Sequence, residues 1–140
     1  MADGSQITSD FAISTIPLGV LQSGSVTFTP ELPLAKQNAL KHLKMGLLNK
    51  LYLEFPSVFW GEYTEVINHV SETKGLWSES YNIYYYTKKP ILLMFTAADF
   101  AKEMETWTDS EIVASAMATL RLIYGDTIPD PIDQIITRWG

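Results

Sequence analysis

Lys50 heads an alternating, aromatic-rich run, "KLYLEF", directly after Gly46, Leu47, Leu48 and Asn49. Lysine is a poor strand residue and costly to bury. Its amine has two ways to be satisfied. It can run along its aliphatic stem to water, or project into a cavity, where it holds a water or changes its proton affinity. The other chemistry-bearing side chains point to less. His42 and His69 do not lie at metal-binding spacing and read as surface or packing histidines. The absence of cysteine excludes disulfides, zinc–thiolate sites and a cysteine nucleophile. There is no phosphate-cradling loop, dinucleotide fingerprint or G-x-S-x-G elbow. The acidic pairs Glu103/Glu105 and Asp130/Asp133 read as solvated charge. Tyr84, Tyr85 and Tyr86 read as strand residues, with Tyr84 and Tyr86 on the face of Asn82. That face suits sheet packing, or the wall of a pocket.

The elements that must position these residues follow from periodicity. Alternation predicts strands over 11–17, ending at Pro17, and over 25–30. A helix is expected over 33–46, with Pro33 in its first turn and Gly46 as its stop. The strand over 50–56 puts Leu51, Leu53 and Phe55 on one face and Lys50, Tyr52 and Glu54 on the other. A strand over 62–70 precedes a hairpin over 80–97 that turns at 87–90. The second arm of that hairpin is almost wholly apolar, the pattern of a central strand buried on both faces. Helices are expected over 98–107 and 108–125. The second of these opens on a capping box, Thr108 with Glu111, and closes at Gly125. A last strand runs over 132–139. Together these elements predict an α+β domain: a mixed sheet of roughly six strands flanked by three helices.

The 140 residues fit a single domain able to bury its own core. Net charge is −6, with ten scattered lysines and arginines, which excludes the dense basic face that nucleic acid requires. No run is long and apolar enough to cross a membrane, and the first residues lack a signal peptide pattern. The compartment stays open, with a soluble, cytoplasmic chain as the favoured expectation. Strand-like runs reach both ends, the pattern expected of a segment excised from a longer protein.

Read as an ordered set, the segments resemble one family closely. "DFAISTIPLGVLQSG" (10–24) resembles the "V-I-x-T-x-PLGVL" stretch of flavin-containing amine oxidases, which include polyamine oxidases, monoamine oxidases and lysine-specific histone demethylases. "FTPELPLAKQNALKHLKMGLLNKLYLEFPSVFW" (28–60) resembles their "F-x-P-x-LP" helix, then "G-x-x-x-K-x-x-L-x-F" and the "FW" pair. "YNIYYYTKKPILLMFTAADFAKEME" (81–105) resembles their strand, turn and "A-G-E-A" segment, here Ala97-Ala98-Asp99-Phe100. "TDSEIVASAMATLRLIYGDTIPDPIDQIITRWG" (108–140) resembles the helix and "T-R-W" ending.

The resemblance implies the substrate-binding domain of an FAD-dependent enzyme that oxidises a small-molecule amine and releases peroxide. The FAD-binding domain of the same parent chain would be its partner, and the fragment alone would be inactive and hold FAD weakly. Lys50 matches the family's active-site lysine, which holds a water against the flavin. Leu48 and Asn49 would border the same cavity, with Tyr81 facing the substrate. Thr15, Pro17 and Trp139 match residues beside the cofactor. The competing reading of a small acidic chain with a tyrosine-rich sheet is a stand-alone, non-catalytic binding module.

Overall fold

A computed structural model describes residues 4–140. Its contacts group into two compact units, residues up to Met45 and Gly46–Gly140.

The first unit carries two helices, α1 (Leu18–Gln22) and α2 (Leu34–His42), each preceded by a proline at the N-cap, Pro17 and Pro33. The strands expected over 11–17 and 25–30 do not form: neither segment has a ladder partner among the described residues. Alternation marks a face, but a strand exists only where another backbone takes its hydrogen bonds. Phe11 and Ile13 are accordingly more than nine-tenths exposed. Helix α2 also stops earlier than expected, at His42 rather than at Gly46. Leu43 turns extended, and the Gln22 amide donates to the carbonyls of Leu40 (2.6 Å) and Leu43 (2.9 Å). A side chain from α1 thus satisfies the helix end that a glycine cap would otherwise serve.

The second unit is a five-stranded sheet with helices. Its strands are β1 (Leu48–Glu54), β2 (Val66–Asn68), β3 (Glu79–Asn82), β4 (Ile91–Ala97) and β5 (Asp133–Ile136), in the order β2-β3-β4-β1-β5. Helices α3 (Tyr84–Thr87), α4 (Ala98–Met104) and α5 (Asp109–Tyr124) complete it. The α+β class stands, but every described pairing is antiparallel rather than mixed. Short connections between β2 and β3, and between β3 and β4, force neighbouring strands to run in opposite senses.

The three consecutive tyrosines leave the sheet. Tyr84, Tyr85 and Tyr86 wind into the one-turn helix α3 instead of alternating on a strand. Thr87 Oγ1 donates to the Ile83 carbonyl at 3.0 Å, and Lys88 closes the turn in the left-handed region at φ 61°. The hairpin over 80–97 therefore survives with a helical connection in place of a tight turn.

One face of the sheet is packed. Leu51 and Leu53 of β1 and Leu92 and Met94 of β4 meet Ile112, Ala116, Met117 and Leu120 of α5, all within 3% of complete burial. Helix α5 can start there because its capping box forms: Thr108 Oγ1 accepts from the Glu111 N–H, and the Glu111 carboxylate accepts from the Thr108 N–H at 2.7 Å. Trp77 fastens the β2–β3 connection to the same helix, its indole N–H donating to Ser115 Oγ at 3.0 Å.

The opposite face carries Leu48, Lys50 and Tyr52 of β1, across from Ala97, Phe95 and Leu93 of β4. No helix of this unit covers it. β4 is central, as its apolar sequence predicts, yet Phe95 is only half-buried and Ala97 is exposed. Apolar side chains on an uncovered face mark a surface built to meet something.

Candidate functional site

Lys50 is fixed by hydrogen bonds on both sides. It stands opposite Phe95 of β4, while its N–H donates to Thr137 Oγ1 (2.8 Å) and its carbonyl accepts from the Thr137 N–H (2.9 Å). The pleat then directs its side chain to the open face, with the ammonium 6.0 Å from the centre of the Phe95 ring. The ion pairs among the described residues are Lys102–Asp99, Arg121–Asp130 and Arg138–Asp109, so no carboxylate neutralises Lys50 there.

A cavity of about 350 Å³ opens on this face beside Lys50, lined by Leu48, Ser78, Glu79, Tyr81, Phe95 and Ala97, with Gly75 at its edge. Tyr81 and Phe95 meet edge to face, centroids 5.5 Å apart, a favoured arrangement of aromatic quadrupoles. The Tyr81 phenol is pushed above its ordinary value, first by its hydrogen bond to the Glu79 carboxylate and then by the charge of that group. Gly75 has φ +83°, a region side chains rarely adopt.

The structure divides the residues expected here into three sets. Leu48, Lys50 and Tyr81 share the open face. Asn49, one residue from Lys50, points to the opposite face and is 1% exposed. Its amide donates to Glu105 Oε1 at 2.7 Å, and its carbonyl oxygen accepts from the Trp139 N–H at 3.2 Å. Thr15 and Pro17 lie in the first unit, both exposed, with Pro17 capping α1.

Trp139 is held by its backbone, yet the residue stays 72% exposed. Glu105 Oε1 accepts from the N–H groups of Trp139 and Gly140, both at 3.1 Å. Those bonds, led by the one from Asn49, hold the Glu105 carboxyl below its ordinary value. Arg138 adds donations to the carbonyls of Met104, Glu105 and Trp107 and pairs with Asp109 at 2.6 Å. Glu105 is therefore a fastener between β1, α4 and the 137–140 segment, and not the solvated charge its sequence context suggests.

Sequence reasoning did not reach Ser78, Glu79, Phe95 or Glu105. Phe95 lay hidden in an apolar run that predicts a strand buried on both faces. Glu79 and Glu105 look like ordinary surface acids until register and hydrogen bonding place them.

The family model described as flavin containing amine oxidoreductase matches residues 1–140. The chain belongs to this family. "Lysine-specific histone demethylase 1 homolog 3" of Oryza sativa subsp. indica is 37% identical over 147 residues, covering 100% of this chain and 18% of the relative. "Polyamine oxidase 2" of Arabidopsis thaliana is 36% identical over 138 residues, covering 99% of this chain and 28% of the relative. Among solved structures, a wild-type putrescine oxidase bound to putrescine matches with a TM-score of 0.68 at 21% identity, covering 89% of this chain and 27% of that one. The chain thus spans less than a third of the length of these relatives, and the solved structure supports the fold alone. Family membership weighs against the stand-alone binding module.

The residues present suit one side of a flavin site. A planar, largely apolar ring with a polar edge needs flat apolar walls and a few aimed polar groups. The sheet face that no helix of its own unit covers, the Lys50 ammonium and the exposed Trp139 are groups of that kind. The glycine-rich turn that would cradle the pyrophosphate is not in this sequence.

Proposed function

We propose that this chain is the substrate-binding part of an FAD-dependent amine oxidase, with Lys50 as its catalytic amine. The observation that carries the reading is the Lys50 ammonium, on a strand hydrogen-bonded on two sides and without a carboxylate ion pair among the described residues, on an apolar face beside a cavity. FAD, held mainly by another part of the same parent chain, would supply the two-electron oxidation. The net reaction converts an amine, water and dioxygen to a carbonyl compound, the released amine or ammonia, and hydrogen peroxide.

The chain's own residues have distinct parts in this reading. Lys50 Nζ holds a water or carries a proton at the reacting centre. Leu48, Tyr81 and Phe95 form an apolar, aromatic wall, which disfavours the charged ammonium and so enriches the neutral amine that can be oxidised. Asn49 faces away from the cavity; it fixes the strand that presents Lys50 and tethers Trp139. The family resemblance alone assigns Trp139, Thr15 and Pro17 to the cofactor's surroundings in the parent enzyme.

The test uses the full-length parent protein. It should purify with bound flavin and release peroxide when given an amine. A full-length protein that carries no flavin and oxidises no amine would overturn the proposal. The 140-residue chain alone should lose added FAD on dialysis, because it lacks the pyrophosphate cradle.

A further inference from the structure

We propose that Glu105 is a positioning residue for Lys50, acting through Asn49 and the 137–140 segment to hold the lysine's backbone in place for the reaction. This deepens the oxidase reading and rests on it.

Lys50 stands at a weak point of the sheet. The ladder between β1 and β5 ends at the pair Leu51–Ile136, one position short of it. From there toward Leu48, β4 alone pairs with β1. The end of a ladder opens more readily than its middle. Past that end Thr137 still bonds Lys50 in both directions, its hydroxyl accepting from the Lys50 N–H and its own N–H donating to the Lys50 carbonyl. Thr137 can do so only while its segment stays against β1.

Glu105 keeps it there. One oxygen, Oε1, accepts from three N–H groups: the Asn49 side-chain amide at 2.7 Å, and the Trp139 and Gly140 backbones at 3.1 Å each. Asn49 directly precedes Lys50, and Trp139 and Gly140 lie just beyond Thr137. The bonds therefore close a loop through Asn49, Lys50, Thr137, Trp139 and Glu105. The Asn49 carbonyl oxygen, accepting from the Trp139 N–H at 3.2 Å, braces that loop. Gly140 lies so close to the carboxylate that a Cβ there would stand 3.0 Å from Glu105 Cδ. Glu105 has a firm base: its N–H donates to the Ala101 carbonyl at 3.1 Å at the end of α4, and Met104 before it is buried. Hydrogen bonds to an ionised acceptor are the stronger kind. Without that acceptor, the Asn49 amide is left buried and unpaired. Asn49 must then turn to find another partner, and the backbone of Lys50 shifts with it.

The experiment is a double-mutant cycle on the full-length protein: wild type, Lys50→Met, Glu105→Ala and both together, read as reoxidation of the reduced flavin by dioxygen. Glu105→Ala should slow reoxidation by about tenfold to a hundredfold, the scale of a reacting group misplaced by up to about 1 Å. The double variant should be no slower than Lys50→Met alone, because no amine is left to position. A residue with a merely structural role would add its own loss. Glu105→Gln, which keeps an accepting oxygen, should recover part of the rate. Wild-type reoxidation in Glu105→Ala overturns the proposal, as do losses that multiply in the double variant. If Glu105→Ala does not fold, Asn49→Ala opens the same loop and takes its place in the cycle. If the parent protein holds no flavin, or Lys50→Met alone keeps the wild-type rate, the catalytic reading fails by itself. Hydrogen exchange at the Lys50 and Thr137 amides, which needs no turnover, then decides: faster exchange in the loop-opening variant supports the positioning role, and unchanged exchange overturns it.

Discussion

Ala98 is the most informative position for a stability measurement. It joins β4 to α4 at φ +54°, held there by its N–H donating to the Leu47 carbonyl at 3.0 Å. In the family resemblance this is the glycine of "A-G-E-A". An alanine in the left-handed region costs roughly 1–2 kcal/mol. Glycine removes that cost but loses about 0.5–1 kcal/mol through its freer unfolded chain. The methyl is exposed, so little packing is lost. Ala98→Gly should therefore stabilise the chain by about 0.5–1 kcal/mol, the difference of the two effects. In urea, with an m-value of about 2 kcal/mol/M, the midpoint should rise by about 0.3–0.5 M at unchanged slope. A midpoint that falls by as much would mean that Ala98 does not sit in a left-handed turn. The path from β4, which carries Phe95 and Ala97 to the cavity, would then need revision.

Other substitutions probe the packed face and the fastening of the 137–140 segment. Leu53→Ala removes a fully buried side chain between the sheet and α5. It should cost about 2–5 kcal/mol, read as a lowered urea midpoint. A cost below about 1 kcal/mol would mean that this face of β1 is not core. Glu105 has a folded-state pKa below its ordinary 4.5, so it contributes stability that is present above pH 4.5 and is lost as pH falls through the lower folded value. Glu105→Gln should flatten that part of the acid-unfolding profile and increase hydrogen exchange at the Trp139 and Gly140 amides. Unchanged exchange at both amides would show that Glu105 is not their acceptor.

The sequence made some of this legible because local chemistry decided it. The Thr108–Glu111 box and Gly125 bound α5 as expected, since a helix end is a matter of a few neighbouring hydrogen bonds. The alternation of Leu51 and Leu53 against Lys50 and Tyr52 correctly put lysine on the face away from the core. What failed depended on partners distant in sequence. The runs over 11–17 and 25–30 alternate but find no ladder. The tyrosine triplet has β propensity, yet α3 takes it because Ile83 and Lys88 close a helical turn. Asn49 was expected to border the substrate cavity, whereas the pleat gives it the face opposite Lys50, where Glu105 waits 56 residues away in sequence. The motif resemblance named Lys50 and Tyr81, and the structure puts both on the open face of the sheet. Glu79 and Phe95 became readable only once three strands were aligned.

The central claim is that the Lys50 amine serves the reacting centre. Its most direct test is stopped-flow reoxidation of the reduced flavin by dioxygen in the full-length protein and its Lys50→Met variant, which keeps the aliphatic stem and removes the charge. The account predicts reoxidation slowed by at least about tenfold, in the range typical for loss of a positioned proton carrier, with the flavin still bound. Reoxidation and turnover at wild-type rates would contradict it and leave Lys50 as a solvated strand residue.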